Sequence, residues 1–118
     1  MRWVLILLVL HFTASVRAAD TADFNRDVRP ILAARCFKCH GPDDAARKAK
    51  LRLDTYEGAE KVLGKPNESE LIRRITSSDE NEIMPPPSVK APLTDKQKEI
   101  LKAWIAAGAR YSGAPNVE

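Results

Sequence analysis

Cys36-Phe37-Lys38-Cys39-His40 is the stretch on which the reading of this 118-residue chain turns. Two thiols three positions apart, with an imidazole next to the second, fall within about one turn of helical backbone. The chain holds just two Cys and two His, so the competing readings of the pair are few. A four-thiolate zinc or iron-sulfur site cannot be built from one copy, and a zinc ribbon wants a second ligand pair. A thioredoxin-like redox pair wants a surrounding βαβ pattern, which the sequence lacks. A plain disulfide between Cys36 and Cys39 remains, but it closes a tiny loop and stabilises little.

The arrangement is the attachment signature of c-type haem. Two thiols add across the two vinyl groups of the macrocycle, and the spacing matches their separation when the segment is helical. His40 then lies under the iron as the candidate proximal ligand.

Working outward, the preceding apolar positions Phe24, Val28, Ile31 and Leu32 form one stripe of an amphipathic helix that runs up to Cys36. Pro30 interrupts it. Proline cannot donate to Arg26 and disfavours helical torsions at Arg29, so a kink is expected, or regular helix starting near Pro30. After His40, Gly41-Pro42-Asp43-Asp44 is turn chemistry. The segment 51–63 is ambiguous between alternation at Leu51 and Leu53 and a short helix over Thr55 to Val62, and no sheet is read from it. Gly64-Lys65-Pro66 breaks the chain. Asn67 to Glu70 follows as a capping-box pattern that opens a short helix ending near Thr76.

Ser77 to Pro92 is a polar and Pro-rich loop containing Met84-Pro85-Pro86-Pro87. A stiff polyproline path is expected there, with Met84 held to extended torsions by the following proline. The last helix is the clearest: Thr94 as N-cap, Gln97 completing a capping box, an apolar face of Ile100, Leu101, Trp104 and Ile105, and Gly108 as the stop.

The N-terminus is a separate object. Met1-Arg2, an apolar run from Trp3 to Phe12 and small residues up to Ala19 read as an export signal over 1–19. The apolar run falls short of the roughly 20 residues a membrane span needs. An uncleaved anchor extending through Val16 is the rival reading. The domain is expected over 20–111, with a flexible tail at 112–118. With 44% hydrophobic and 30% charged residues the composition is that of a globular protein, not of a collagen or a multi-span membrane protein.

Cleavage after Ala19 would remove two bases and no acid, leaving 17 bases against 16 acids and turning the net charge of +3 into +1. A nucleic-acid partner therefore has no support. Arg35, Lys38, Arg47, Lys48, Lys50 and Arg52 form a locally basic stretch, either a solvated face or a docking patch for an acidic redox partner, with Lys38 near the haem edge.

Counting assigns the second axial position. Beyond the signal, His40 is the one histidine and Met84 the one methionine, so bis-histidine ligation within a chain is excluded. His/Met is the natural pair, and a soft, neutral thioether favours ferrous iron. Arg52 is a candidate donor to a haem propionate. Trp104 is first a core residue and second such a donor.

Several pieces, in this order, resemble small c-type cytochromes, most closely the planctomycete-type cytochrome c domain. They are Phe24 to His40, Leu51-Arg52-Leu53-Asp54, Gly64 to Ile75, Met84-Pro85-Pro86, and Leu93 to Ala109. The resemblance implies an all-α, cytochrome c-like fold of three to four helices wrapped around one covalently bound haem c. It implies Cys36 and Cys39 as thioether attachments, and His40 and Met84 as iron ligands. It further implies that the first and last helices pack together, bringing Val28 and Leu32 near Trp104 and Ile105. The family often has glycines before Leu51, where this chain has Lys48-Ala49-Lys50.

The function implied is that of an exported single-electron carrier with no substrate to turn over. Two rivals stand beside it: an electron-entry domain of a larger oxidoreductase, and a peroxide- or gas-binding domain from which Met84 dissociates.

Overall fold

A computed structural model describes residues 22–112. The expected export signal and nearly all of the expected tail lie outside the described residues. Among the described residues there is no strand, and no helix is long and apolar enough to cross a membrane.

The chain enters through a π-helical turn, Phe24–Val28, that continues directly into α1, Arg29–Arg35. Pro30 sits at the start of α1, as expected of a residue that lacks a donor. The wider turn before it is the observed form of the kink. Arg29 N–H reaches back to Phe24 O, and Asp27 and Val28 both donate to Asp23 O at 2.8 and 3.2 Å. Asp23 caps the turn, accepting from Arg26 N–H at 2.8 Å.

The ambiguous segment resolves into α2, Tyr56–Leu63, capped by the Thr55 side chain. Next comes α3, Glu70–Ile75, ending at Thr76 as its sequence suggests. Its cap differs from the expected Asn67–Glu70 box. Ser69 accepts from Ile72 N–H at 3.2 Å, and its buried hydroxyl donates to Val62 O at 3.2 Å. Ser69 thereby caps one helix and ties it to the end of another, while Glu70 turns forward along its own helix.

A 3-10 turn, Pro87–Val89, interrupts the proline-rich loop. Pro86 has polyproline torsions, φ −59° and ψ 145°, but Pro87 leaves that path, so the stiff segment is shorter than its composition suggests. The Met84–Pro85 peptide is cis. Helix α4, Asp95–Ala106, starts with the expected box: Gln97 N–H to Thr94 Oγ1 at 3.1 Å and Thr94 N–H to Gln97 Oε1 at 2.9 Å. Gly108 ends it with φ +106°, where a side chain would be strained.

These short helices hold together through one core. Val28, Leu32, Leu101 and Trp104 are its fully buried large side chains, joined by Phe24, Ile31, Leu53, Leu71, Ile75 and Ile105. Fully burying such a side chain contributes about 1.5–3 kcal/mol. The α4 helix packs on the π-helical turn, with Phe24 and Trp104 rings 5.9 Å apart. Val28, Leu32, Trp104 and Ile105 thus share one core, in line with the pairing of first and last helices.

Candidate functional site

The five-residue motif follows α1 as one tight turn. Cys36 and Phe37 N–H groups both return to Leu32 O, at 2.8 and 2.9 Å, so the helix hands its register to the motif without a break. Within the motif, Cys39 and His40 N–H groups both bond Cys36 O, at 3.2 and 2.8 Å. Both cysteines are free thiols. Burial pushes the Cys36 thiol up to about 11, opposite to the depressed values that activate a redox pair or a thiolate metal ligand.

Gly41 comes next because nothing larger fits. A Cβ there would collide with the Phe37 carbonyl oxygen, so the chain can turn away from His40 only through glycine. The loop then closes on itself: Lys48 N–H to Cys39 O at 2.7 Å, Leu51 N–H to Lys48 O at 3.1 Å, and Leu53 N–H to His40 O at 2.8 Å. Arg47 braces its inside, donating to Gly41 O at 3.0 Å and Pro42 O at 3.2 Å and pairing with Asp44 at 2.6 Å. Tyr111, from the far end of the chain, donates its hydroxyl to Leu53 O at 3.0 Å. Its ring lies 4.5 Å from that of Phe24.

This loop orients the imidazole. His40 Nδ1 lies 3.2 Å from Lys48 O. A carbonyl can only accept, so the proton sits on Nδ1 and Nε2 keeps its lone pair for a metal. A carbonyl on the outer nitrogen fixes ring orientation and raises ligand basicity. The same loop places Ala49 and Lys50 at φ +55° and +54°. Both fall in the Lys48-Ala49-Lys50 stretch before Leu51, and left-handed torsions cost non-glycine residues roughly 1–2 kcal/mol each.

Met84 is held by a different set of bonds. Its N–H donates to Arg74 O at 3.1 Å, fastening it to the end of α3. The loop before it is folded on Asp79, whose backbone carbonyl accepts from Glu82 and Ile83 N–H groups at 3.0 and 2.9 Å. Arg73 pairs with Glu82 at 2.8 Å, and Arg74 Nη1 donates to Glu82 O at 3.3 Å. Glu70 receives both arginines, Arg73 through two nitrogens at 2.9 and 2.8 Å and Arg74 Nε at 2.9 Å. Between them they hold its carboxyl down at about 2.

The two second-rank candidates are engaged elsewhere. Arg52 forms a fork with Asp54 at 3.0 and 2.6 Å, which holds the Asp54 carboxyl below its ordinary value. Trp104 is buried, with Nε1 donating to Arg110 O at 3.0 Å, which matches its primary reading as a core residue. Sequence reasoning missed Tyr111, the Lys48 carbonyl and the Glu70, Arg73, Arg74, Glu82 network. Only the last left a trace, an acid followed by bases at i+3 and i+4.

Residues 36–88 match the family model described as planctomycete cytochrome C. The match supports a cytochrome c-like domain over these residues. The match runs from the first cysteine of the motif through Met84 to Ser88, so it includes both loops just described. No curated protein and no solved structure matches the chain. The residues of the matched segment fit a haem on their own chemistry. The turn offers two free thiols and an imidazole with its metal-binding nitrogen available. Arg35 Nε, one residue before the motif, is buried without a hydrogen-bond partner, the kind of orphan that an anionic group satisfies.

Proposed function

We propose that the protein is an exported, monohaem c-type cytochrome that passes single electrons between redox partners. The observation that carries this reading is the Cys36–His40 turn, two free thiols followed by an imidazole locked to the Lys48 carbonyl. Each thiol adds across one vinyl group: a sulfur-carbon bond forms at one carbon, the thiol hydrogen goes to the other, and no oxidant is consumed. When bound, the haem supplies a reversible one-electron ferric/ferrous couple.

The chain's residues do the rest. His40 offers Nε2 as proximal ligand while Lys48 O fixes its tautomer and ring plane. Met84 offers its thioether as distal ligand, which favours the ferrous state and raises the potential. Lys38, Lys48 and Lys50 are exposed around the motif, whereas Arg47 and Arg52 are tied to Asp44 and Asp54. The three lysines are the part of the basic stretch we assign to docking an acidic redox partner. Residues 1–19 serve as the export signal.

Denaturing electrophoresis stained for haem, together with a reduced-minus-oxidised spectrum and potentiometry on the mature protein, tests this reading. Haem should stay with the polypeptide, and the couple should be fully reversible with one electron. Haem that separates from the chain would refute the attachment. A gas- or peroxide-binding role, in which Met84 leaves the iron, would appear in the same spectra as a high-spin ferric form.

A further inference from the structure

We infer that Glu70, Arg73 and Arg74 are positioning residues that clamp the Met84 loop and so set how readily the sulfur leaves the iron. The inference rests on Met84 as distal ligand. Arg74 holds the loop twice, through its own carbonyl on Met84 N–H at 3.1 Å and through its guanidinium on Glu82 O at 3.3 Å. Arg73 holds it a third time through the Glu82 carboxylate at 2.8 Å. Glu70 sits between the two guanidiniums and aims both, the Arg73 contact being a two-point fork.

Single exposed ion pairs contribute little, but a shared carboxylate with a fork is the geometry in which they count. The helix carrying the clamp cannot drift, because Ser69 ties its start to Val62 O and Leu71 and Ile75 anchor it in the core. Displacing the Met84 sulfur requires its loop to swing off α3. The three bonds to the loop, Met84 N–H to Arg74 O, Arg74 to Glu82 O and Arg73 to the Glu82 carboxylate, oppose that swing and are lost in the open state, while Glu70 keeps both guanidiniums aimed. The apparent affinity of an external ligand for the iron follows the open fraction, so loosening the clamp raises it.

The experiment is imidazole titration of the ferric holoprotein, followed through the weak far-red band of sulfur-ligated haem. Arg74→Gln keeps the backbone carbonyl and removes the guanidinium. It should bind imidazole about five- to tenfold more tightly than wild type. Arg73→Gln, which loses both the Glu70 fork and the Glu82 pair, should shift in the same direction. Glu99→Gln breaks the Lys102–Glu99 pair on α4 and should leave the affinity at the wild-type value. Hydrogen exchange of the Met84 amide gives a second readout and should quicken in Arg74→Gln and Arg73→Gln but not in Glu99→Gln. Unchanged imidazole affinity and exchange in both arginine variants would overturn the clamp. Equal shifts in Glu99→Gln would reduce it to general stability. A wild-type protein without the far-red band would instead overturn the assignment of Met84.

Discussion

The two loops that carry the proposed iron ligands, His40 on the proximal side and Met84 on the distal, differ in how they are held. The proximal loop, from Cys36 to Leu53, closes chiefly through backbone carbonyls, with the Arg47 guanidinium as an internal brace. Carbonyls of Leu32, Cys36, Cys39, His40 and Lys48 each take an N–H or an imidazole. The distal loop, before Met84, is fastened to α3 by charged side chains around Glu70. Backbone bonds inside a closed loop do not depend on ionic strength, whereas half-exposed ion pairs are screened by salt and lost when the carboxylate is protonated. The proximal side is therefore the more fixed of the two and the distal side the more adjustable.

The largest expected effect is on the fixed side. Replacing Cys36 and Cys39 together by Ser should abolish covalent haem, read as loss of haem stain from the denatured chain. Gly41→Ala comes next. The added carbon meets the Phe37 carbonyl, and overpacking of this kind costs about 1–3 kcal/mol, measurable as a lowered denaturant midpoint. Tyr111→Phe removes the bond to Leu53 O, a loss of about 1 kcal/mol. Burial raises the Tyr111 phenol above its ordinary value. Its contribution is thus fully present below pH 10 and declines as the pH rises beyond, and the variant should lack that alkaline loss.

The adjustable side should respond to acid instead. Glu70 falls from an ordinary 4.5 to about 2 in the folded protein, first through Arg73 and then Arg74. Its contribution is complete above pH 4.5 and disappears as the pH falls through 2. In an acid titration of the far-red band, Glu70→Gln should flatten that part of the profile. Smallest and opposite in sign is Ala49→Gly with Lys50→Gly, which relieves two left-handed torsions. It should stabilise by up to about 1 kcal/mol per site, seen as a raised thermal midpoint. No change there would mean that the loop is not strained.

Legibility followed distance along the chain. The helices α1 and α4 were readable because their caps and apolar stripes are local, and Thr94 with Gln97 formed the box that their spacing suggested. The cysteine motif was readable because its chemistry lies within five consecutive residues. The cap of α3 was misread, because Asn67 and Ser69 are both good acceptors and only the contact with Val62 O distinguishes them. Tyr111 and Leu53 are 58 residues apart, a separation over which periodicity carries no signal. The Lys48 carbonyl was invisible for another reason: every residue has one, and only the loop's path decides which of them meets His40.

The central claim is that one turn supplies the attachment and proximal ligand while Met84 supplies the distal one. The visible and far-red spectrum of the ferric holoprotein at neutral pH, wild type beside Met84→Ala, tests it most directly. The account predicts a low-spin spectrum with the weak far-red sulfur band in wild type. In Met84→Ala the band should vanish and the potential fall. A wild-type spectrum that is high-spin, or a potential unmoved by Met84→Ala, would contradict it.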